Sequence, residues 1–226
     1  MTIKYHEMVA ALVKPGQAIL DSLTPAKTHL MHMAIGISGE VAELMDGLVT
    51  SKGRENVIEE LGDLAFFIEG FRQGCDISED GSLNIPEKDL ENLISGYYTD
   101  NPVAGLSVAA GSLLDAVKKH VIYNKPLDRA EVVRWLTVIM LHMAMIGLAE
   151  GISHQEAIDA NIYKLALGPN ARYKGGSYSD KAAQERADKS ATVVMPFIEH
   201  DGVIGVVPGS LQLNGVEVKG GINYEN

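Results

Sequence analysis

The sequence predicts an all-α protein, a helical bundle built from two tandem helical hairpins with a small β-rich C-terminal tail. Three observations predict it. Apolar residues recur at helical spacing through residues 25–74 and again through 102–167. Start and stop signals bracket each run. The second run repeats the first at a nearly fixed offset.

Taken in order, residues 4–23 read as a short amphipathic helix interrupted at Pro15-Gly16. Thr24 before Pro25 is an N-cap followed by proline at the first helical position. It opens a helix over residues 25–49, with a kink or break expected near Gly36 and Gly39. Ser51, Lys52 and Gly53 form a turn. The next helix, residues 55–73, carries Val57, Ile58, Leu61, Leu64, Ala65, Ile68 and Phe71 as its apolar stripe, and Gly74 ends it. Residues 74–100 are polar and read as a loop with one short helix over 87–96. Further helices are predicted at 102–123 and 129–150, the latter capped by Asp128 and ended by Gly151. Another, capped by Ser153, runs through Leu167, and a short one covers 180–189. After Ala191 the pattern becomes that of three short strands, with hairpin turns at Asp201-Gly202 and Asn214-Gly215. The expected organisation is therefore one helical domain over residues 1–190 and a tail over 191–226.

The repeat is legible in the letters. Gly36-Ile-Ser returns as Gly105-Leu-Ser and Leu44-Met-Asp46 as Leu113-Leu-Asp115, both displaced by 69 residues. The second helices align at a displacement of 74, Glu60–Phe67 on Arg134–Leu141. The second copy keeps the apolar stripe and loses acids: Glu40 becomes Ala109, Glu43 becomes Ser112, Glu60 becomes Arg134 and Asp63 becomes Thr137. Two such hairpins make one pseudo-twofold bundle with a single functional centre.

Composition narrows the function. The net charge of −11 excludes a nucleic-acid polymer as partner, since phosphate backbones call for a basic surface. One cysteine, Cys75, leaves no intrachain disulfide and fits a reducing, cytoplasmic setting. No leader-like segment opens the chain. The most apolar window, residues 132–148, is interrupted by Arg134, Thr137 and His142 and reads as a core helix rather than a membrane span.

The chemistry concentrates in the first hairpin. Glu40 and Glu43 stand three apart, as do Glu60 and Asp63, each pair among apolar residues. Residues three apart share a helix face, so antiparallel helices would gather four carboxylates into one pocket. Either pair alone also fits a solvated helix face. Together, such charges repel unless a cation lies between them, and hard ions such as Mg²⁺ (or Mn²⁺) take oxygen ligands of this kind. Glu59 and Asp46 are expected beside or outside this set. Arg134, a charge inside the most apolar helix, is expected to reach the acids or a bound phosphate, or else to lie on an exposed face. Trp135, Phe66, Phe67 and Met31, Met33, Met140, Met143 and Met145 are candidates to line a base pocket, with core packing the expectation for most of them. A ferritin-like iron site would want Glu-x-x-His, and neither glutamate pair has a histidine at that place.

Glu40-Val-Ala-Glu43 followed by Glu60-Leu-Gly-Asp63 resembles the ExxE…ExxD pattern of the all-α nucleoside triphosphate pyrophosphatase superfamily, of MazG and dimeric dUTPase type. Asn161-Ile-Tyr-Lys164-Leu with Arg172-Tyr173 resembles its NxxKLxxRY segment. Gly176-Ser-Tyr-Ser-Asp with Ala183, Arg186 and Asp188 resembles the ending of phage MazG-like proteins. The fused, one-sided repeat is closer to the dimeric dUTPases, and the segment from Lys164 to Arg172 is longer than the pattern. The resemblance covers residues 25–190. It implies Mg²⁺-dependent hydrolysis of a nucleoside triphosphate, a deoxynucleotide by preference, to the monophosphate and diphosphate. Glu40, Glu43, Glu60 and Asp63 would be metal ligands and catalytic groups. Asn161, Lys164 and Arg172 would bind substrate, and Arg186 and Asp188 would form a structural pair. A dUTPase-like, guanine-selective or alarmone-hydrolysing activity all fit, as does a homodimer. A non-enzymatic helical protein holding an ion or a partner is the alternative.

Overall fold

The computed structural model describes residues 3–77, 100–173, 177–186 and 188, together with strand residues 197–200, 203–206, 211–213 and 216–218. The expected helix at 87–96 and the two tail turns lie outside these residues. The chain divides into two compact units, Met1–Gly168 and Pro169–Asn226. The division comes where a π-helical turn ends and Pro169 cannot continue it, earlier than the expected boundary after residue 190.

The first unit is all-α. Two short helices, α1 (Tyr5–Leu12) and α2 (Gly16–Leu20), are separated at Pro15 as the sequence requires. Four long helices follow: α3 (Pro25–Val49), α4 (Arg54–Gly74), α5 (Pro102–Tyr123) and α6 (Arg129–Glu150). Then α7 (His154–Ile162) runs into a π-helical turn, Tyr163–Leu167. The caps explain the boundaries. Thr24 accepts from the Lys27 amide, Asn101 from Ala104, Asp128 from Ala130 and Glu131, and Ser153 from Glu156. Asn124 and Gly151 end α5 and α6 in the left-handed conformation.

The expected break in α3 at Gly36 and Gly39 does not occur. The helix is continuous, and Gly36 instead makes room for a neighbour: a Cβ there would lie 2.3 Å from the Phe67 ring. Gly105 does the same for His142, whose Nε2 would meet a Cβ at 2.0 Å. These equivalent notches correct the register of the repeat. Phe67 matches His142, a displacement of 75 rather than 74. Burial agrees, because Val57, Leu61, Leu64, Ile68 and Phe71 then fall on Val132, Leu136, Ile139, Met143 and Ile146, all core residues. In this register Glu60 is matched by Trp135 and Asp63 by Val138.

Helix α3 packs on α4 and α5, α5 packs on α6, and α7 lies along α4. Contact between α4 and α6 is sparse, and there a cleft of about 1160 Å³ opens, lined mainly by apolar groups including Phe66, Met140, Met143 and Leu148. By length and composition alone α6 is apolar enough to cross a membrane, with a mean hydropathy of 1.8 over its most apolar window, a property that the core helix of a soluble protein shares. Its aliphatic residues outweigh Arg134, Thr137 and His142, and 44% of that window is buried in the protein.

In the second unit, α8 (Asp180–Glu185) is capped by Ser179 and is shorter than expected, ending at Arg186 in a left-handed conformation. Two short antiparallel strand pairs follow. β1 (Phe197–His200) pairs with β2 (Val203–Val206), and β3 (Leu211–Leu213) pairs with β4 (Val216–Val218).

Candidate metal centre

Helices α3 and α4 bring together three of the four expected acids. Oxygens of Glu40, Glu60 and Asp63 lie within 4.8 Å of one another. Glu60 is 3% exposed, and Glu40 and Asp63 are partly buried. Glu43 stands exposed, outside this group, because a three-residue step on α3 carries it past the seam with α4. Its charge is still felt. Glu40 is raised from 4.5 to about 8, first by burial and then by the charges of Asp63, Glu43 and Glu60, against a smaller opposing effect of Lys164.

Helix α7 supplies the remaining polar groups. Asn161 and Lys164 are three residues apart and share a face, which they turn on Asp63. The Asn161 amide donates to Asp63 Oδ1 at 2.6 Å, and the Lys164 ammonium bonds Asp63 Oδ2. The same ammonium lies 3.3 Å from Glu59 Oε1. Lys164 sits in the π-helical turn, a widening of the helix that recurs at functional sites. A glycine makes this close approach possible. A Cβ on Gly62 would lie 2.6 Å from the Ala157 carbonyl oxygen and 3.0 Å from Asn161 Cβ. The missing side chain lets α7 lie directly on α4, one residue before Asp63.

The other expected site residues are placed elsewhere. Arg134 is exposed on α6, with its guanidinium 5.3 Å from the Trp135 ring centre. It makes no ion pair with a described residue, so the expectation that it reaches the acids is not met. The charge avoids burial by facing outward and stacking on an aromatic neighbour. Arg172 belongs to the second unit and directs its guanidinium fork at Asp188, Nε to Oδ1 at 2.7 Å and Nη2 to Oδ2 at 2.5 Å. The structural partner of Asp188 is therefore Arg172, while Arg186 is exposed. The buried Asp188 takes the arginine whose planar fork fits its two oxygens.

Three contributors had no place in the sequence reading: Gly47, Asn56 and Gly62. Asn56, one turn before Glu60 on α4, donates its amide to Glu60 Oε1 at 2.9 Å. Glycine inside a helix costs about 1 kcal/mol relative to alanine, so Gly47 and Gly62 were the available signal of close approach.

The donor set suits a hard divalent cation. It consists of carboxylate oxygens only, converging from two helices, with neighbouring amide and ammonium groups holding them in place. Comparison with protein-family models, curated proteins and solved structures finds no match for this chain.

Proposed function

We propose that the protein is a Mg²⁺-dependent nucleoside triphosphate pyrophosphohydrolase of MazG-like type, converting a (deoxy)nucleoside triphosphate and water to the monophosphate and diphosphate. The observation that carries this reading is the convergence of Glu40, Glu60 and Asp63, with Asn161 and Lys164 aimed at the same carboxylate. Glu40, Glu60 and Asp63 would hold the cation. A divalent ion there would neutralise charge on the triphosphate and lower the pKa of a bound water, supplying a nucleophile for the α-phosphorus. The chain's own groups do the rest. Asn161 fixes the orientation of Asp63. Lys164, the one ammonium bonded within the cluster among the described residues, lies where it would hold phosphate oxygens of the substrate. Glu43 adds long-range negative charge without being a ligand. Arg172 and Arg134 have no part in the reading, since one is engaged by Asp188 and the other faces solvent.

The test is Mg²⁺-dependent release of pyrophosphate from a panel of deoxynucleoside triphosphates, alongside Asp63→Asn. Release that stops in the variant and without Mg²⁺ is expected. No release from any triphosphate, or release of orthophosphate alone, overturns the reading. A second reading has its own observation. Lys164 already pairs with both Asp63 and Glu59, which is what a non-enzymatic acidic cluster held by an internal ammonium would look like. That reading predicts no pyrophosphate release and no saturable Mg²⁺ binding.

A further inference from the structure

We infer that Asn56, seated in the notch left by Gly47, is a positioning residue that fixes the Glu60 carboxylate for the divalent cation. This rests on the metal-dependent reading above.

Glu60 is 3% exposed, and a carboxylate so buried needs hydrogen-bond donors to hold it. Asn56 is one such donor, giving Nδ2 to Glu60 Oε1 at 2.9 Å across one turn of α4. The other end of the same amide is the informative one. Asn56 Oδ1 is buried and accepts no hydrogen bond from a described residue. Buried acceptors are rarely left so. Flipping the amide would not relieve it, since it would set Oδ1 against the Glu60 carboxylate oxygen. The unpaired acceptor is therefore the cost of keeping a donor on Glu60.

The space for this arrangement comes from the facing helix. A Cβ at Gly47 would lie 2.0 Å from Asn56 Oδ1 and 3.2 Å from its Cγ. The missing side chain leaves the room in which the Asn56 amide sits as it does. Gly47 is itself buried and lies one turn beyond Glu43 on α3. Groups that orient metal ligands in this way typically govern affinity about 10–100-fold.

The experiment measures Mg²⁺ affinity of the full chain by calorimetry, with the metal ion as the only ligand. It uses wild type, Asn56→Ala, Gly47→Ala, Glu60→Gln and the double variant Asn56→Ala/Glu60→Gln. Asn56→Ala is expected to weaken Mg²⁺ about 10–100-fold, with a lowered thermal midpoint of the metal-free protein from the loss of one hydrogen bond to Glu60. Gly47→Ala is expected to weaken it in the same direction, because the new Cβ meets only the end of a movable side chain. In the Glu60→Gln background, Asn56→Ala adds no further loss, since its effect passes through Glu60. Wild-type affinity in both Asn56→Ala and Gly47→Ala, or a full additive loss in the double variant, overturns the inference while the metal site stands. No saturable Mg²⁺ binding by wild type overturns both. Should Asn56→Ala not fold, Gly47→Ala and Asn56→Ser carry the same comparison.

Discussion

The α3–α4 hairpin and the α5–α6 hairpin bury matching apolar residues: Leu44 and Leu113, Leu61 and Leu136, Phe71 and Ile146. Each also has a glycine notch at the equivalent place, Gly36 for Phe67 and Gly105 for His142. They part at the seam. Where the first hairpin gathers Glu40, Glu60 and Asp63, the second has Ala109, Trp135 and Val138. The second hairpin shows that the scaffold packs without those acids. Three carboxylates within 4.8 Å repel one another, most strongly where water is excluded. Their presence in one half only is what the proposed cation site would require.

The comparison breaks most sharply at the acids. Glu60→Gln is expected to lower kcat for pyrophosphate release about 10²–10³-fold, the scale of removing one preorganised electrostatic group. Glu43→Gln, exposed and outside the group, is expected to change it less than about tenfold, as an exposed charge contributes at most about 1 kcal/mol. Equal losses in steady-state assays of the two would erase the distinction between them.

Gly62→Ala comes next. The added methyl meets the Ala157 carbonyl and lifts α7, with Asn161 and Lys164, away from Asp63. Misplacement on this scale can cost about 10²-fold in rate. The overpacking costs about 1–3 kcal/mol, read as a thermal midpoint lowered by about 2–4 °C per kcal/mol. Gly105→Ala sharpens the contrast. It crowds His142 in the second hairpin and is expected to cost a similar amount of stability, while folded molecules keep the wild-type rate.

The smallest effect is in pH. Glu40 is raised to about 8 from an ordinary value of 4.5, so the metal-free folded state binds more protons than the unfolded chain between those values. Stability of the metal-free protein is therefore expected to fall as pH rises through that window, once the proton is lost. Added Mg²⁺ replaces the proton and flattens the decline. Thermal midpoints measured across this range with and without Mg²⁺ check the sign, and a metal-free protein that gains stability with rising pH would contradict it.

Much of this was legible in the letters, because local rules govern it. Thr24-Pro25, Asp128, Ser153 and Gly151 fixed helix ends through capping chemistry that needs no tertiary context. The i, i+3 spacing of Glu60 and Asp63, and of Asn161 and Lys164, placed each pair on one face. What the letters did not give depends on how helices cross. Glu43 has the right spacing from Glu40, but the angle of α3 against α4 leaves it in solvent. The meaning of Gly36, Gly47 and Gly62 is a neighbour's approach, and no neighbour is written in the sequence. A shift of one residue in the repeat, Glu60 onto Trp135 rather than Arg134, became visible only through the packed glycine notches and burial. The pairing of Asp188 with Arg172 rather than the nearer Arg186 is likewise a tertiary contact that sequence separation does not disclose.

The central claim is that three carboxylates, and not a fourth, hold a divalent cation. Titration of the full chain with Mn²⁺, with free ion followed by electron paramagnetic resonance, tests it directly in wild type, Glu40→Gln, Glu60→Gln, Asp63→Asn and Glu43→Gln. Saturable binding is predicted in wild type and Glu43→Gln and strong loss in the other three. An unsaturable wild type, or binding that survives Glu60→Gln and Asp63→Asn, would contradict the account.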